Sequence, residues 1–169
     1  MRTHSSLVID VLELLESHGS RKTLSFSANV PDLDSGLSHA GPELDLDLVA
    51  EAIDGGVWVK GTVAGTYHAE CRRCLTATDR PFSFQAAELY RPAGEVWEEG
   101  YVIKESSIDL DPLVRDTVLL NLPHEPLCRD DCAGLCPACG RNLNEEPHGH
   151  EAVVDSRWSA LKDLGKGRA

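Results

Sequence analysis

Six cysteines, grouped in two parts of the chain, constrain its fold and function more than any other feature of the sequence. Four of them lie within residues 128–140, which read CRDDCAGLCPACG, and the other two form the pair CRRC at residues 71–74. Thiols grouped in this way form a metal site, a set of disulfides or a redox centre. The choice among these three decides most of what the sequence says about function.

The start of the chain lacks the pattern of a secretory signal. Its apolar patch LVIDVLELL is interrupted by Asp10 and Glu13, and no small-residue cleavage site follows. No apolar run approaches the roughly 18–20 residues that span a bilayer. We therefore expect a cytoplasmic protein that does not use a membrane. Because a reducing cytosol keeps thiols free, metal binding is favoured over disulfides.

Catalytic motifs are missing from the sequence. A redox Cys-x-x-Cys pair normally lies at the start of a helix in a βαβ unit, and neither pair here has that context. The sequence also has no HExxH motif, no phosphate-binding glycine loop and no Ser-His-Asp order. We expect no enzymatic activity and no small-molecule substrate.

Zinc is the metal that the cysteines suit best, because it prefers four tetrahedral ligands and binds thiolate well. The segment LCPACG is typical of a ligand turn, with Pro137 to stiffen it and Gly140 to follow it. The leading ligand set is the local one, which closes only short loops: Cys128, Cys132, Cys136 and Cys139. The alternative combines Cys71 and Cys74 with Cys136 and Cys139. Mixed sets that include His148 or His150 stay open.

Alternation of apolar and polar residues predicts a mainly antiparallel sheet. The segment LDLDL at residues 44–48 has a strict period of two, and the segments at residues 22–30, 57–71 and 81–90 are also predicted strands. Asp54-Gly55-Gly56 predicts a hairpin turn, and the CRRC pair falls at a later strand connection. Residues 31–43, rich in Pro, Gly, Ser and Asp, read as a loop.

One helix is predicted at residues 111–122. Asp111-Pro112 is a helix start, apolar residues follow at three- and four-residue spacing, and Pro123 closes the segment. The fold class is therefore α+β, an antiparallel sheet or partial barrel with one packed helix. We predict a β-rich domain at residues 1–124, a cysteine-rich module at 125–146, and a polar tail at 147–169 whose segment DSRWSALKDL forms a short amphipathic helix.

Charge limits the choice of partners. The net charge is −12, from 28 acidic and 16 basic residues, which disfavours RNA binding by the surface as a whole. Arginines next to the cysteines are the candidates for contacts with RNA phosphates or with an acidic patch on a partner: Arg72, Arg73, Arg129 and Arg141. Either arginine of the CRRC pair could instead form an ion pair with Glu70 or another carboxylate.

The same motifs carry a family resemblance. CRRCL, followed by IDLDPLVRDTVLLNLPHEPLC and CAGLCPACGRNLN, resembles the YceD family of large ribosomal RNA accumulation proteins in its six-cysteine form. The likeness is specific over residues 57–75 and 108–144, and DSRWSAL is similar to a family tail motif. It implies a role in 23S ribosomal RNA synthesis, processing or stability and in large-subunit assembly, without enzymatic activity.

Two hypotheses follow about how such a role would be carried out. The protein either contacts pre-ribosomal large-subunit RNA directly, or it is an acidic adapter or holder for a basic ribosomal protein.

Overall fold

The leucine–carboxylate alternation of residues 43–53 forms a central strand of the structure. The structure is a computed structural model, and it describes residues 7–94, 101–150 and 157. Within these residues the strands are β1 (Val8–Asp10), β2 (Arg21–Asn29), β3 (Ser38–Ala40), β4 (Glu43–Ile53), β5 (Gly56–Glu70), β6 (Ala77–Pro92), β7 (Val102–Ile103) and β8 (Ser107–Asp109). The helices are α1 (Leu12–Glu16) and α2 (Asp111–Asn121).

A curled half-barrel sheet with the order β2-β4-β5-β6-β7 is the main element, and a two-stranded sheet of β1 and β8 lies beside it. The neighbouring strands from β2 to β6 are antiparallel, whereas β7 runs parallel to β6. The predicted strands and the Asp54-Gly55 turn are confirmed, and the CRRC pair does lie between β5 and β6. The long β5–β6 hairpin carries that pair at its tip.

The predicted loop at residues 31–43 contains one short strand, β3, which pairs with β5. His39 lies opposite His68 in this pairing, and the two rings stack with their centroids 5.1 Å apart. The Ser38 hydroxyl is buried and donates to the carbonyl oxygen of Pro123 at 2.9 Å. These contacts are distant in sequence, so local composition alone could not reveal them.

The concave face of the sheet forms the core. Leu44, Leu46 and Leu48 are at most 1% exposed, while the alternating Asp45 and Asp47 lie on the solvent face. Valines 57, 59 and 63 of β5 are fully buried on the same side as the leucines. Burial of apolar surface at roughly 25 cal/mol per Å² makes this one-sided pattern the main stabilising contribution.

Helix α2 packs across this face against β5 and β6. Its Leu113, Val114 and Val118 are at most 1% exposed. It ends at Asn121, one residue before the predicted end, because Leu122 adopts the extended conformation that a following proline favours. Asp111 is the first helical residue and not the cap, and its amide donates to the Asp109 carboxylate at 3.0 Å.

The expectation of one helix packed on the sheet is corrected by α1, which spans five residues. Val11 precedes it and Leu14 lies within it, and both are buried in the core, whereas Leu12 and Leu15 are about half exposed. So short a helix shows little more than one turn of periodicity, too little for its apolar pattern to predict it.

Gly61 permits a close approach between β4 and β5. Its φ is +150°, and a Cβ at this position would lie 2.1 Å from the carbonyl oxygen of Asp47. A side chain cannot be accommodated there without moving backbone, so this glycine allows the sheet to curl.

The predicted amphipathic helix of the tail lies outside the described residues, apart from Arg157. Among the helices of the described residues, none has the length and apolar character to cross a bilayer.

Replacing Leu113 by Asp should destabilise the protein by roughly 3 kcal/mol or more, because it places a carboxylate in the core without a partner. Leu120, on the same helix, is 79% exposed. Leu120→Asp is therefore the matched control and should cost less than about 1 kcal/mol. Urea unfolding of both variants measures the difference, and similar small losses would mean that α2 does not close the core.

Candidate metal centre

The first ligand turn is the tip of the β5–β6 hairpin. The amide of Cys71 donates to the Thr76 carbonyl at 2.9 Å, and the amide of Leu75 donates to the Cys71 carbonyl at 2.8 Å. Leu75 has a φ of +59°, in the left-handed region that glycine usually occupies. Because Leu75 takes the conformation expected of a glycine, the CRRC pair forms a tight turn although no glycine follows it.

The segment before Cys128 is held against this tip by backbone contacts. The amide of Arg72 donates to the Pro126 carbonyl at 2.9 Å. From β6, the Arg80 guanidinium donates to the carbonyl oxygens of Leu127 and Cys128. These bonds bring a thiol from far along the sequence to the end of the hairpin.

Four thiols meet at this place: Cys71, Cys74, Cys128 and Cys132. Their sulfur atoms all lie within 4.8 Å of one another, with Cys71 to Cys132 at 3.8 Å and Cys74 to Cys128 at 3.6 Å. A tetrahedral zinc site with bonds of about 2.3 Å places its sulfur atoms ~3.8 Å apart. All six cysteines of the chain are free, and these separations exceed a disulfide bond of about 2.05 Å. The arrangement therefore suits a metal ion and not a disulfide.

The thiols also have unequal tendencies to ionise. Burial raises the pKa of Cys71, but amides of Cys128, Cys74 and Arg73 donate to its sulfur and lower the pKa to about 6. The Thr76 hydroxyl lowers the pKa of Cys74. Burial and the neighbouring Cys132 thiol raise the pKa of Cys128 to about 12. A bound cation would lower the pKa of all four thiols, because it stabilises every thiolate around it.

Arg73 connects the hairpin tip to the loop that follows Cys132. Its guanidinium donates to the Cys132 carbonyl at 2.9 Å, and its own carbonyl accepts from the amide of Leu135 at 3.0 Å. Gly134 has a φ of +78°, and a Cβ there would lie 3.1 Å from the Arg73 carbonyl oxygen. Arg73 is thus part of the framework of the centre.

Asn144 supports the same loop, and sequence reasoning missed it. Its side-chain oxygen accepts from the amide of Ala133 at 2.8 Å and from Arg129 at 2.7 Å. Its side-chain nitrogen lies 3.3 Å from the Cys132 sulfur. Asn142 holds it in turn by accepting from its backbone amide at 3.0 Å. The only sequence signal was a pair of asparagines two residues apart just after the last cysteine.

Neither predicted ligand set is brought together in the structure. Cys128 and Cys132 join the hairpin thiols, whereas Cys136 and Cys139 lie in a second group with His148 and His150. The local set was favoured by loop entropy. That argument fails here because the folded β5–β6 hairpin already holds Cys71 and Cys74 in place, so the long loop costs little more when the site closes.

All four candidate arginines have partners within the chain. Arg72 pairs with Glu125 and not with Glu70, and Arg141 pairs with Glu146 at 3.1 Å. Arg129 lies 3.2 Å from Asp131 in addition to its bond with Asn144. Direct RNA contact by these side chains would therefore have to share or replace bonds that the fold already makes.

The two arginines of the CRRC turn should behave differently when replaced by alanine. Arg73→Ala removes a hydrogen bond that orients a ligand loop, and it should lower zinc affinity about tenfold or more. Arg72→Ala removes only an exposed ion pair and should change affinity by less than about threefold. Competition with a chromophoric chelator measures both. Equal effects would show that Arg73 does not orient the loop.

Comparisons with known proteins place the chain among uncharacterized mycobacterial relatives. Proteins of Mycobacterium bovis and Mycobacterium tuberculosis are each 36% identical over 170 residues, which cover 95% of this chain and 82% of the relative. One from Mycobacterium leprae is 34% identical over 172 residues, covering 95% and 78%. No solved structure matches significantly. Residues 59–165 match the sequence model described as large ribosomal RNA subunit accumulation protein YceD. The chain therefore belongs to the YceD family.

Proposed function

We propose that the protein is a non-enzymatic factor that supports the synthesis, processing or stability of 23S ribosomal RNA and the assembly of the large ribosomal subunit. The observation that carries this proposal is the family match over residues 59–165, a range that includes both cysteine groups. A structural zinc ion held by the first group would fix the C-terminal module to the β5–β6 hairpin. The site of action is the cytoplasm, where large-subunit precursors are assembled.

The proposed zinc role is structural because of the donor set. Four sulfur atoms fill the tetrahedron and leave no coordination position for water or substrate. Three of the four cysteines are buried, which further restricts access to the ion. Within the described part of the chain, the apolar side chains that pack on this group are few, Leu127 and Leu135. A metal ion would therefore supply much of the stability of the module.

A second candidate is an adapter that holds a basic ribosomal protein without touching RNA. The solvent face of the sheet favours it. Asp45 and Asp47 are exposed there, and they accept bonds of 2.6 Å from Ser27 and Ser25, which fix the carboxylates on a regular surface. The candidate arginines also favour the adapter, because each of them already has a partner within the chain. A fixed acidic face attracts a basic partner and repels phosphate.

Ribosomal RNA levels test the proposed function in a bacterium that lacks its own member of the family. The wild-type chain should restore the ratio of 23S to 16S ribosomal RNA, and Cys128→Ser should not, because it breaks the metal centre. Leu120→Asp, which changes an exposed residue outside the centre, should restore the ratio like wild type. An unchanged ratio in cells without any family member would contradict the proposal.

Binding measurements separate the two candidates. Direct RNA binding predicts that log K falls linearly with log salt, by about 0.7–0.9 per phosphate contact. The adapter predicts no RNA affinity by itself and binding to a basic large-subunit protein that Asp45→Asn with Asp47→Asn weakens about tenfold. Glu13→Gln with Glu16→Gln changes the same charge on α1, where both residues are exposed, and serves as the control. Equal loss in both double variants would contradict a specific role of the sheet face.

A further inference from the structure

The proposed function leaves a second group of metal-binding side chains unused. Cys136, Cys139, His148 and His150 each present a ligand atom, and all four atoms lie within 4.8 Å of one another. The two cysteines come from the LCPACG turn and the two histidines from the stretch PHGH, at the end of the continuously described chain. None of the four belongs to the first cysteine group.

The cysteine turn has the backbone geometry of a zinc ligand turn. The amide of Gly140 donates to the Cys136 carbonyl at 2.8 Å, and Gly140 has a φ of +74°. The amide of Cys136 donates to the Arg141 carbonyl at 2.7 Å, which closes the turn from the other side. A turn of this kind aims two sulfur atoms at one point, as a shared ion requires.

His148 is oriented with one ring nitrogen toward the thiols. Its Nδ1 lies 2.6 Å from the Glu146 carbonyl oxygen, which can only accept, and in the neutral ring this leaves Nε2 with the lone pair that a metal ligand needs. That Nε2 lies 3.1 Å from the Cys139 sulfur. A hydrogen bond from the second ring nitrogen to a carbonyl is the usual support of a metal-ligating histidine.

His150 completes the group. Its ring lies edge-on to that of His148, with centroids 5.0 Å apart. The residues that position the histidines are themselves held, since the amide of Glu146 donates to the Asn142 carbonyl at 3.0 Å and its carboxylate pairs with Arg141. Two thiols and two imidazoles therefore converge on one point from two fixed segments.

We propose that Cys136, Cys139, His148 and His150 form a second zinc site, a tetrahedral Cys2His2 centre separate from the four-cysteine centre. Soft thiolate together with imidazole is the donor combination that zinc selects. An ion here would fix residues 147–150 against the cysteine turn. Because Cys139 and His150 are exposed and His148 is accessible at least in part, this ion should be removed by a chelator before the ion in the first centre.

Metal stoichiometry and ligand identity test the proposal directly. The full chain, incubated with Zn²⁺ and desalted, should carry two ions by native mass spectrometry. X-ray absorption at the zinc edge should give an average of about three sulfur and one nitrogen ligands per ion, the mean of the two donor sets. A variant with His148→Asn and His150→Asn should carry one ion with sulfur ligands only.

The control variant replaces two exposed histidines outside the group, His18→Asn with His124→Asn, and should keep both ions and the nitrogen signal. One ion in the wild-type chain, or two ions in the His148/His150 variant, would overturn the proposal. These results would not bear on the ribosomal role, because that role is carried by the family match and is read from the 23S to 16S ratio.

Discussion

The meeting of four thiols at the tip of the β5–β6 hairpin is the constraint on which the C-terminal third of the structure depends. Cys71 and Cys74 are carried by the sheet. Cys128 and Cys132 come from a segment that, among residues 101–150, has almost no apolar core of its own. A zinc ion shared by the two pairs would make one folding unit of the predicted 1–124 domain and the 125–146 module. In that case the boundary between them would not be an independent folding boundary.

The rest of the fold delivers the two pairs to one place. Curling of the sheet at Gly61 and packing of α2 on its concave face set the path of the chain toward Pro123, which Ser38 binds. From there only a few residues reach Cys128. The Arg72 amide and the Arg80 side chain hold that stretch against the hairpin, and Arg73 holds the loop that follows Cys132. The arginines near the cysteines therefore help to hold the fold together, whatever partner the surface binds.

Period-two alternation predicted the main strands because burial on one face is decided locally, and α2 was predictable from Asp111-Pro112 and its apolar spacing. The grouping of the thiols was not predictable from the sequence. It depends on where the sheet places the tip of the β5–β6 hairpin, and the sheet is built from pairings between residues distant in sequence. Loop entropy favoured the nearest cysteines, and only the folded hairpin reverses that preference. Strand β3 was missed for the same reason, since its partner β5 is distant in the sequence. Asn144 was missed because its contacts with nearby residues depend on the path of the loop.

Cadmium substitution tests the central claim most directly, because ¹¹³Cd couples through bonds to the Hβ protons of the cysteines that ligate it. Among its cadmium resonances, the protein loaded with ¹¹³Cd should show one that is correlated with Cys71, Cys74, Cys128 and Cys132 together. A resonance correlated with Cys128, Cys132, Cys136 and Cys139 would contradict this account, as it would place the ion within the module and leave the hairpin tip unconnected to it.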